Sequence, residues 1–510
     1  MGMSRKKKRK TDSALPADSS IGTPADVPAK IRVDICIAGG GAAGMAAAVA
    51  AAERLRDGRS GNGRLEGSGF GRDRSVGAGS GNSKPCRGNN GTSRPGSGQP
   101  PRILIVEKMD RLGRKLKATG NGRCNLTNIN AEGCREVQAF FGHLGVVTRV
   151  EDGGRVYPYS GDAADVVGAL IDRIALLDVQ VLTNTEVRNV QYTDPAAGHS
   201  RAKVNFQLRC VCGTQDVTIE ADQLLIAMGG KAAPQFGTCG DGTKMARSLG
   251  LEVTRLAPAL TGIETVEDVE SMAGVRVWAN TALYYNKKKI AEEAGEVQFN
   301  DYGISGICVM NLSSRIELAD GASVQDGFRD YRIELDLLPE LEGAADAAEA
   351  AGLIRHQMET QGVREVTSQA LRSILRKPLA EAVAEASGGD PEQAGRLLKR
   401  YPLHVKNLRG WKYAQVTKGG VKLEELDPQR MEAKRVPGLY LAGEVLDYDG
   451  PCGGWNLQNA WVTGIRAGQA MAERLIEDQA MASQTIARNS GETEANSGRA
   501  EVISGGTEIR

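Results

Sequence analysis

The chain has 510 residues, room for two to four domains, and its 64 basic against 63 acidic side chains leave a formal net charge of +1. That balance excludes a whole-chain electrostatic drive toward nucleic acid or membrane. Nine cysteines without a C-x-x-C and four histidines without ligand spacing exclude a disulfide scaffold, a zinc ribbon and a histidine-based metal site.

Residues 1–30 open with the basic run Arg5–Lys10 and continue polar and proline-dotted, so a disordered tail is expected. No apolar leader segment and no membrane span are visible, and the expected location is the cytoplasm. Ile31–Ala38 predicts a buried strand, Gly39-Gly-Gly-Ala-Ala-Gly44 a turn, and Met45–Arg56 a helix. Residues 57–100 hold 13 glycines in 44 positions and almost no large apolar side chains. Such a segment buries too little surface to offset its ordering entropy, so a disordered insertion is expected there. Its arginines lack a series of interleaved aromatics, which argues against an RNA contact.

Arg102–Glu107 predicts the second strand. A dinucleotide fold places an acid about 20 residues beyond its glycines. Gly44 and Glu107 lie 63 positions apart, and removing the 44-residue insertion leaves 19. One continuous βαβ unit, interrupted between its helix and its second strand, accounts for both the glycine excess and the long gap. Further strands are predicted at Val179–Thr183, Val204–Leu208, Asp222–Gly230 and Pro437–Glu444, and a last helix at Asn459–Leu475. The expected architecture is α/β: a split Rossmann-type domain over 31–255 and 415–480, with a β-rich inserted domain at 256–340 and a helical one at 341–414. Residues 481–510 are polar and expected to be disordered.

Gly39-x-Gly41-x-x-Gly44 stands between strand and helix, with Glu107 at ribose distance in sequence. Gly39 permits the tight turn, Gly41 lets backbone approach a pyrophosphate, and Gly44 lets helix and strand pack. The N–H groups of Ala42 and Ala43, at the helix start, suit the same anion. These residues admit NAD or FAD. The late strand ending in Gly443-Glu444, followed by the turn Gly450–Gly454 and a helix, supplies the second contact region that a flavin needs, and favours FAD. Gly229, in the glycine end of the Asp222–Gly230 strand, joins the cofactor-binding candidates.

Arg114-Lys-Leu-Lys-Ala-Thr-Gly-Asn-Gly-Arg-Cys-Asn-Leu-Thr-Asn128 resembles the R-K-x-x-x-(S/T)-G-x-G-R-C-N-x-T-N block of a bacterial FAD-binding flavoprotein family. Its members are described as aminoacetone-oxidase-like and include the gut-bacterial 3-dehydro-bile-acid Δ4,6-reductases. Gly303–Gly306, Val416–Val421 and Gly438–Gln458 are similar to further blocks of that family. Two departures stand out. The family's Phe-Thr-His-x-Gly block reads Phe299-Asn-Asp-Tyr-Gly303 here, and Trp455 replaces a usual tyrosine.

The resemblance implies a two-dinucleotide-binding type of fold with FAD. It assigns Lys108, Arg114, Lys115, Gly122, Arg123, Cys124 and Asn125 to diphosphate and flavin-edge contacts, and the backbone of Val187 to the adenine. It gives the N–H groups of Asn456 and Leu457 to the flavin C2 carbonyl. It further implies reduction of a 3-oxo-Δ4/Δ6 steroid enone, with NAD(P)H as donor, although no second G-x-G-x-x-G marks a nicotinamide domain. Two alternatives remain: an oxygen-dependent amine oxidase and an FAD-containing RNA-modifying protein. The partner expected is a small apolar, steroid-like molecule, with neither nucleic acid nor membrane. Tyr157, Tyr159, Tyr302 and Tyr448 are candidate proton donors of which none is singled out, and His143 and His404 are isolated.

Overall fold

The computed structural model describes residues 27–59, 100–193, 205–317, 327–341 and 346–500. Most of the expected N-terminal tail, residues 60–99 of the insertion and residues 501–510 lie outside that set.

The Rossmann-type unit starts with β1 (Lys30–Ala38), α1 (Ala42–Arg59) and β2 (Ile103–Val106). A short helix α2 (Arg114–Ala118) leads into a three-stranded antiparallel sheet of β3 (Thr127–Asn128), β4 (Thr148–Glu151) and β5 (Arg155–Pro158). Helices α3 (Cys134–His143) and α4 (Ala163–Leu176) flank it. Then follow β6 (Gln180–Leu182), β7 (Thr185–Tyr192), β8 (Phe206–Cys212), the long β9 (Gln215–Ile226) and α5 (Asp241–Ser248). The chain leaves through β10 (Ala257–Ala259) and returns through β17 (Val416–Lys418), β18 (Leu439–Leu441) and α10 (Trp455–Ala500).

The main sheet runs β6-β2-β1-β9-β8-β7, with β18 also beside β9. β1 pairs in parallel with both β2 and β9, and β9 in parallel with β18. Ile35–Ala38 of β1 are fully buried, as a parallel strand covered on both faces must be. The predicted strand at Asp222 is the second half of β9, whose first half pairs antiparallel with β8. Helices α1 and α10 cross closely because α1 presents an alanine-rich face to glycines of α10. A Cβ on Gly464 or Gly468 would strike the backbone of Ala43 or Ala47.

Between β10 and β17 lies one inserted unit, where two were expected. It comprises β11 (Ile263–Thr265), β12 (Arg276–Tyr285), β13 (Lys288–Asn300), β14 (Gly303–Ser305), α6 (Ile307–Ser313) and β15 (Tyr331–Asp336). Helices α7 (Asp346–Gln361), α8 (Lys377–Ser387) and α9 (Pro391–Lys399) precede β16 (Tyr401–Leu408). The strands close a barrel in the order β11-β14-β13-β12-β15-β16. β16 falls inside the segment expected to be helical. It alternates buried Leu403 and Val405 with exposed His404 and Lys406, a period of two. Ile354, Leu379 and Leu398 of the helices share one core with the barrel's Ile333 and Phe299. Separate β-rich and helical domains are thus corrected to a single barrel with a helical cover.

The expected disordered C-terminal tail is also corrected, because α10 continues to Ala500. Residues 478–500 contain no proline and five alanines, so polarity there is compatible with helix. No helix among the described residues is long and apolar enough to cross a membrane.

Candidate functional site

The glycine turn forms where the sequence places it. Gly39 N donates to Val106 O at 2.8 Å, and α1 starts with Met45 N on Gly41 O at 3.0 Å. Gly39 has φ 111°, a region closed to most side chains. A Cβ on Gly44 would fall on the Gly39 carbonyl oxygen, whereas one on Gly41 would meet nothing within 4 Å. The space above Gly41 and the unpartnered first-turn N–H groups of α1 therefore suit a pyrophosphate.

Glu107, at the end of β2, accepts from Gly40 N at 2.7 Å and Met109 N at 2.8 Å. Burial lifts its carboxyl above the ordinary value, against the opposing pull of those N–H groups. Val187 lies on β7 beside this loop, since Thr185 N donates to Glu107 O at 2.9 Å.

The second glycine turn packs against the first. A Cβ on Gly443 would lie 2.9 Å from that of Ala43. Glu444 then joins three distant segments. Its Oε1 accepts from Thr417 N at 3.0 Å and Thr417 Oγ1 at 2.9 Å, and its Oε2 meets Lys115 Nζ at 2.5 Å. Thr417 Oγ1 in turn accepts from Lys231 N at 2.7 Å and Ala232 N at 2.9 Å. Gly230 has no room for a side chain beneath Thr417 and Glu444, and Gly229 precedes it against Thr238. Thr417 was absent from the sequence-derived candidates. Its signal was the V-T-K-G-G block, whose threonine has no local partner to give it meaning.

The 114–128 segment divides. Lys115 reaches Glu444, but Arg114 pairs with Asp110 at 3.2 Å on the surface. Arg123 pairs with Glu151 and covers the Tyr157 ring at 4.1 Å. Lys108 turns to Glu186 at 2.8 Å and Asp241 at 3.5 Å; burial pulls its ammonium down, and these carboxylates outweigh that. Gly122 borders open space. Cys124 is buried with φ 56°, and burial pushes its thiol up to about 12, so it is no thiolate nucleophile. Asn125 is 8% exposed, and its Oδ1 has no hydrogen-bond partner.

That orphaned oxygen lies beside Gly454, immediately before α10. Asn456 does not reach outward with its side chain. It clasps Gly450, accepting from its N at 2.9 Å and donating to its O at 2.8 Å. Gln458 N bonds back to Gly454 O, while the N–H groups of Asn456 and Leu457 have no intrahelical partner. Free donors next to a buried free acceptor are complementary to an imide edge such as the flavin pyrimidine. Burial lifts Asp449 and Tyr448 above their ordinary values, and pushes Cys452 up to about 12. Of the other tyrosines, Tyr302 stacks on Arg409, Tyr157 lies under Arg123, and Tyr159 is exposed. Among the described residues, no cluster of three metal-ligating side chains occurs.

The parallel sheet, the Gly39–Gly44 turn with Glu107 and the late Gly443–Glu444 turn define a Rossmann-type FAD-binding fold. The profile of the HI0933-like protein Rossmann domain matches residues 133–470, and the chain belongs to that family. It is 32% identical over 408 residues to the 3-dehydro-bile acid delta(4,6)-reductase of Clostridium scindens, covering 73% of this chain and 93% of that protein. It is 26% identical over 394 residues to the ribosomal RNA dihydrouridine synthase of Escherichia coli, covering 71% and 89%. Among solved structures, a Rhodococcus jostii 3-ketosteroid-delta4-(5alpha)-dehydrogenase in complex with 4-androstene-3,17-dione superposes with a TM-score of 0.42 at 13% identity, over 87% of this chain and 97% of that one.

Proposed function

We propose that the chain is an FAD-dependent oxidoreductase that saturates a C=C bond conjugated to a ketone in a bulky apolar substrate of the 3-oxo-Δ4/Δ6 steroid type, with NAD(P)H as reductant. The observation that carries the reading is an apolar cluster next to the α10 turn. Ala259, Leu260 and Val416 form it, with Met310 and Cys452 packed against them. It lies where the inserted unit meets the Rossmann-type unit, the usual place for a ligand pocket.

In this reading Glu107 would hold the adenosine ribose, and the Gly39–Gly44 turn the pyrophosphate. Lys115, Thr417 and Glu444 would flank the ribitol, and Asn125 with the N–H groups of Asn456 and Leu457 would hold the pyrimidine edge. Bound FAD supplies the two-electron chemistry. The chain orients the substrate, and its apolar wall excludes water. Backbone or hydroxyl donors stabilise the enolate oxygen. Tyr448, whose hydroxyl pKa burial raises above its ordinary value, would be the proton donor to the α-carbon. The relative named for bile-acid Δ4,6 reduction, matched over 93% of its length, supports the substrate class.

The test is the anaerobic reoxidation of dithionite-reduced holoenzyme. A 3-oxo-Δ4 steroid should reoxidise it faster than buffer does. Reoxidation by a uridine-containing ribosomal RNA fragment alone, or reduction of the oxidised enzyme by aminoacetone, would replace the proposal.

A further inference from the structure

Arg409 is unusual among the cations of this chain. Its guanidinium lies 3.8 Å from the ring centroid of Tyr302 and 3.8 Å from that of Tyr413. Among the described residues it has no carboxylate partner. Tyr302 occupies the unspecified position of the Phe299–Gly303 block, next to the two residues where this chain departs from its resembling family. Close by, Lys231 covers Trp411 at 4.6 Å and likewise lacks a carboxylate among the described residues.

This grouping is tied to the candidate site on two sides. Trp411 O accepts from Ala233 N at 2.8 Å, directly after the Lys231–Ala232 amides that bind Thr417. Arg409 O accepts from Thr261 Oγ1 at 3.2 Å, next to Leu260 of the apolar cluster. Gln415 ties two members of that cluster together, with N on Leu260 O at 3.3 Å and Nε2 at 3.3 Å from Met310 Sδ. The apolar cluster that reaches Cys452, in the turn before α10, is thus joined through Leu260 and Thr261 to the residue that follows β16, Arg409.

We infer that Arg409 is the anchor for a carboxylate at the far end of an apolar substrate. The inference rests on the proposed function for the identity of the apolar body. A guanidinium covered by rings keeps its in-plane N–H donors, and these match a carboxylate two at a time. Where the rings cover it the cation is less hydrated, which strengthens the bond that forms there. A base-stacking platform for RNA is the poorer fit. Tyr302, Tyr413 and Trp411 each already give one face to a cation, which leaves at most one face per ring for a base.

The test is equilibrium binding to the full-length oxidised holoenzyme, read by calorimetry and by perturbation of the flavin spectrum, so that it does not depend on turnover. The probes are a 3-oxo-Δ4 steroid bearing a side-chain carboxylic acid and its neutral methyl ester. The acid should bind about tenfold or more tightly than the ester, the scale of a charge-assisted hydrogen bond. Arg409→Gln should abolish the difference with FAD content unchanged, and Arg409→Lys should restore part of it. Tyr413→Leu, at a ring 54% exposed, keeps the charge and should narrow the preference about threefold even if Arg409→Gln folds poorly. Equal binding of acid and ester, binding of neither, or a preference that survives Arg409→Gln overturns the inference. So does single-stranded RNA binding that Arg409→Gln weakens while the acid does not compete. If the acid preference holds but no enone reoxidises the flavin, the proposed chemistry fails and the anchor stands.

Discussion

The two glycine turns that meet at the start of α1 are built in opposite ways. The Gly39–Gly44 turn and Glu107 belong to one βαβ unit, and its bonds run between neighbouring strand ends. The Thr417–Glu444–Lys115 junction draws on three segments, with Lys115 and Glu444 separated by 329 positions. The first is held by backbone geometry and fails when a side chain is added. The second is held by side-chain partners and fails when one is removed.

The largest expected effect lies on the backbone side. Gly44→Val would drive a side chain into the Gly39 carbonyl, at the upper end of the ~1–3 kcal/mol cost of overpacking. Thermal unfolding and bound flavin should both collapse, and normal flavin content would break the backbone account.

Glu444→Ala comes next. It leaves the Thr417 hydroxyl without its acceptor and Lys115 with only the Ala232 carbonyl at 3.3 Å, in a half-buried place, at a cost of about 2 kcal/mol. Denaturant unfolding should show the loss, and Thr417→Val should not add fully to it, because the two side chains share one network.

Glu107→Gln is smaller at neutral pH and sharpest in its pH dependence. Burial holds the folded carboxyl above its ordinary value of 4.5. The folded protein therefore favours the protonated carboxyl more than the unfolded chain does, and that contribution to stability is lost as pH rises through the raised pKa. A ribose bond favours the charged form. Flavin release on acidification should therefore begin above the usual glutamate range, and Glu107→Gln should flatten that profile while weakening binding about tenfold. An unchanged profile would remove Glu107 from the ribose.

Arg114→Ala should matter least, below about 1 kcal/mol, because its pair with Asp110 is solvent-screened. A tenfold loss of FAD affinity would return Arg114 to the diphosphate.

The legible parts were those written within one element or one turn. The G-x-G-x-x-G spacing, the 19-residue interval to Glu107 and the Gly443–Glu444 turn are local patterns, and the structure sets them beside one another. Arg114 and Lys115 show the limit. They are adjacent in a distinctive block, yet one faces solvent and the other reaches Glu444. Nothing in their spacing separates them, because a short helix turns successive residues to different sides.

The sequence by itself determined the interrupted βαβ unit and the segments that turn through glycine. It did not determine that β16 returns to close the barrel, that α10 runs on to Ala500, or that Tyr302 and Tyr413 enclose Arg409 from positions 107 and four residues away. Dihedral restriction and hydrophobic period act over a few residues and can be read along the chain. Barrel closure, and the Asn125 oxygen and the Arg409 cation that lack partners of their usual kind among the described residues, depend on which distant surfaces exclude water together, and only the folded arrangement decides that.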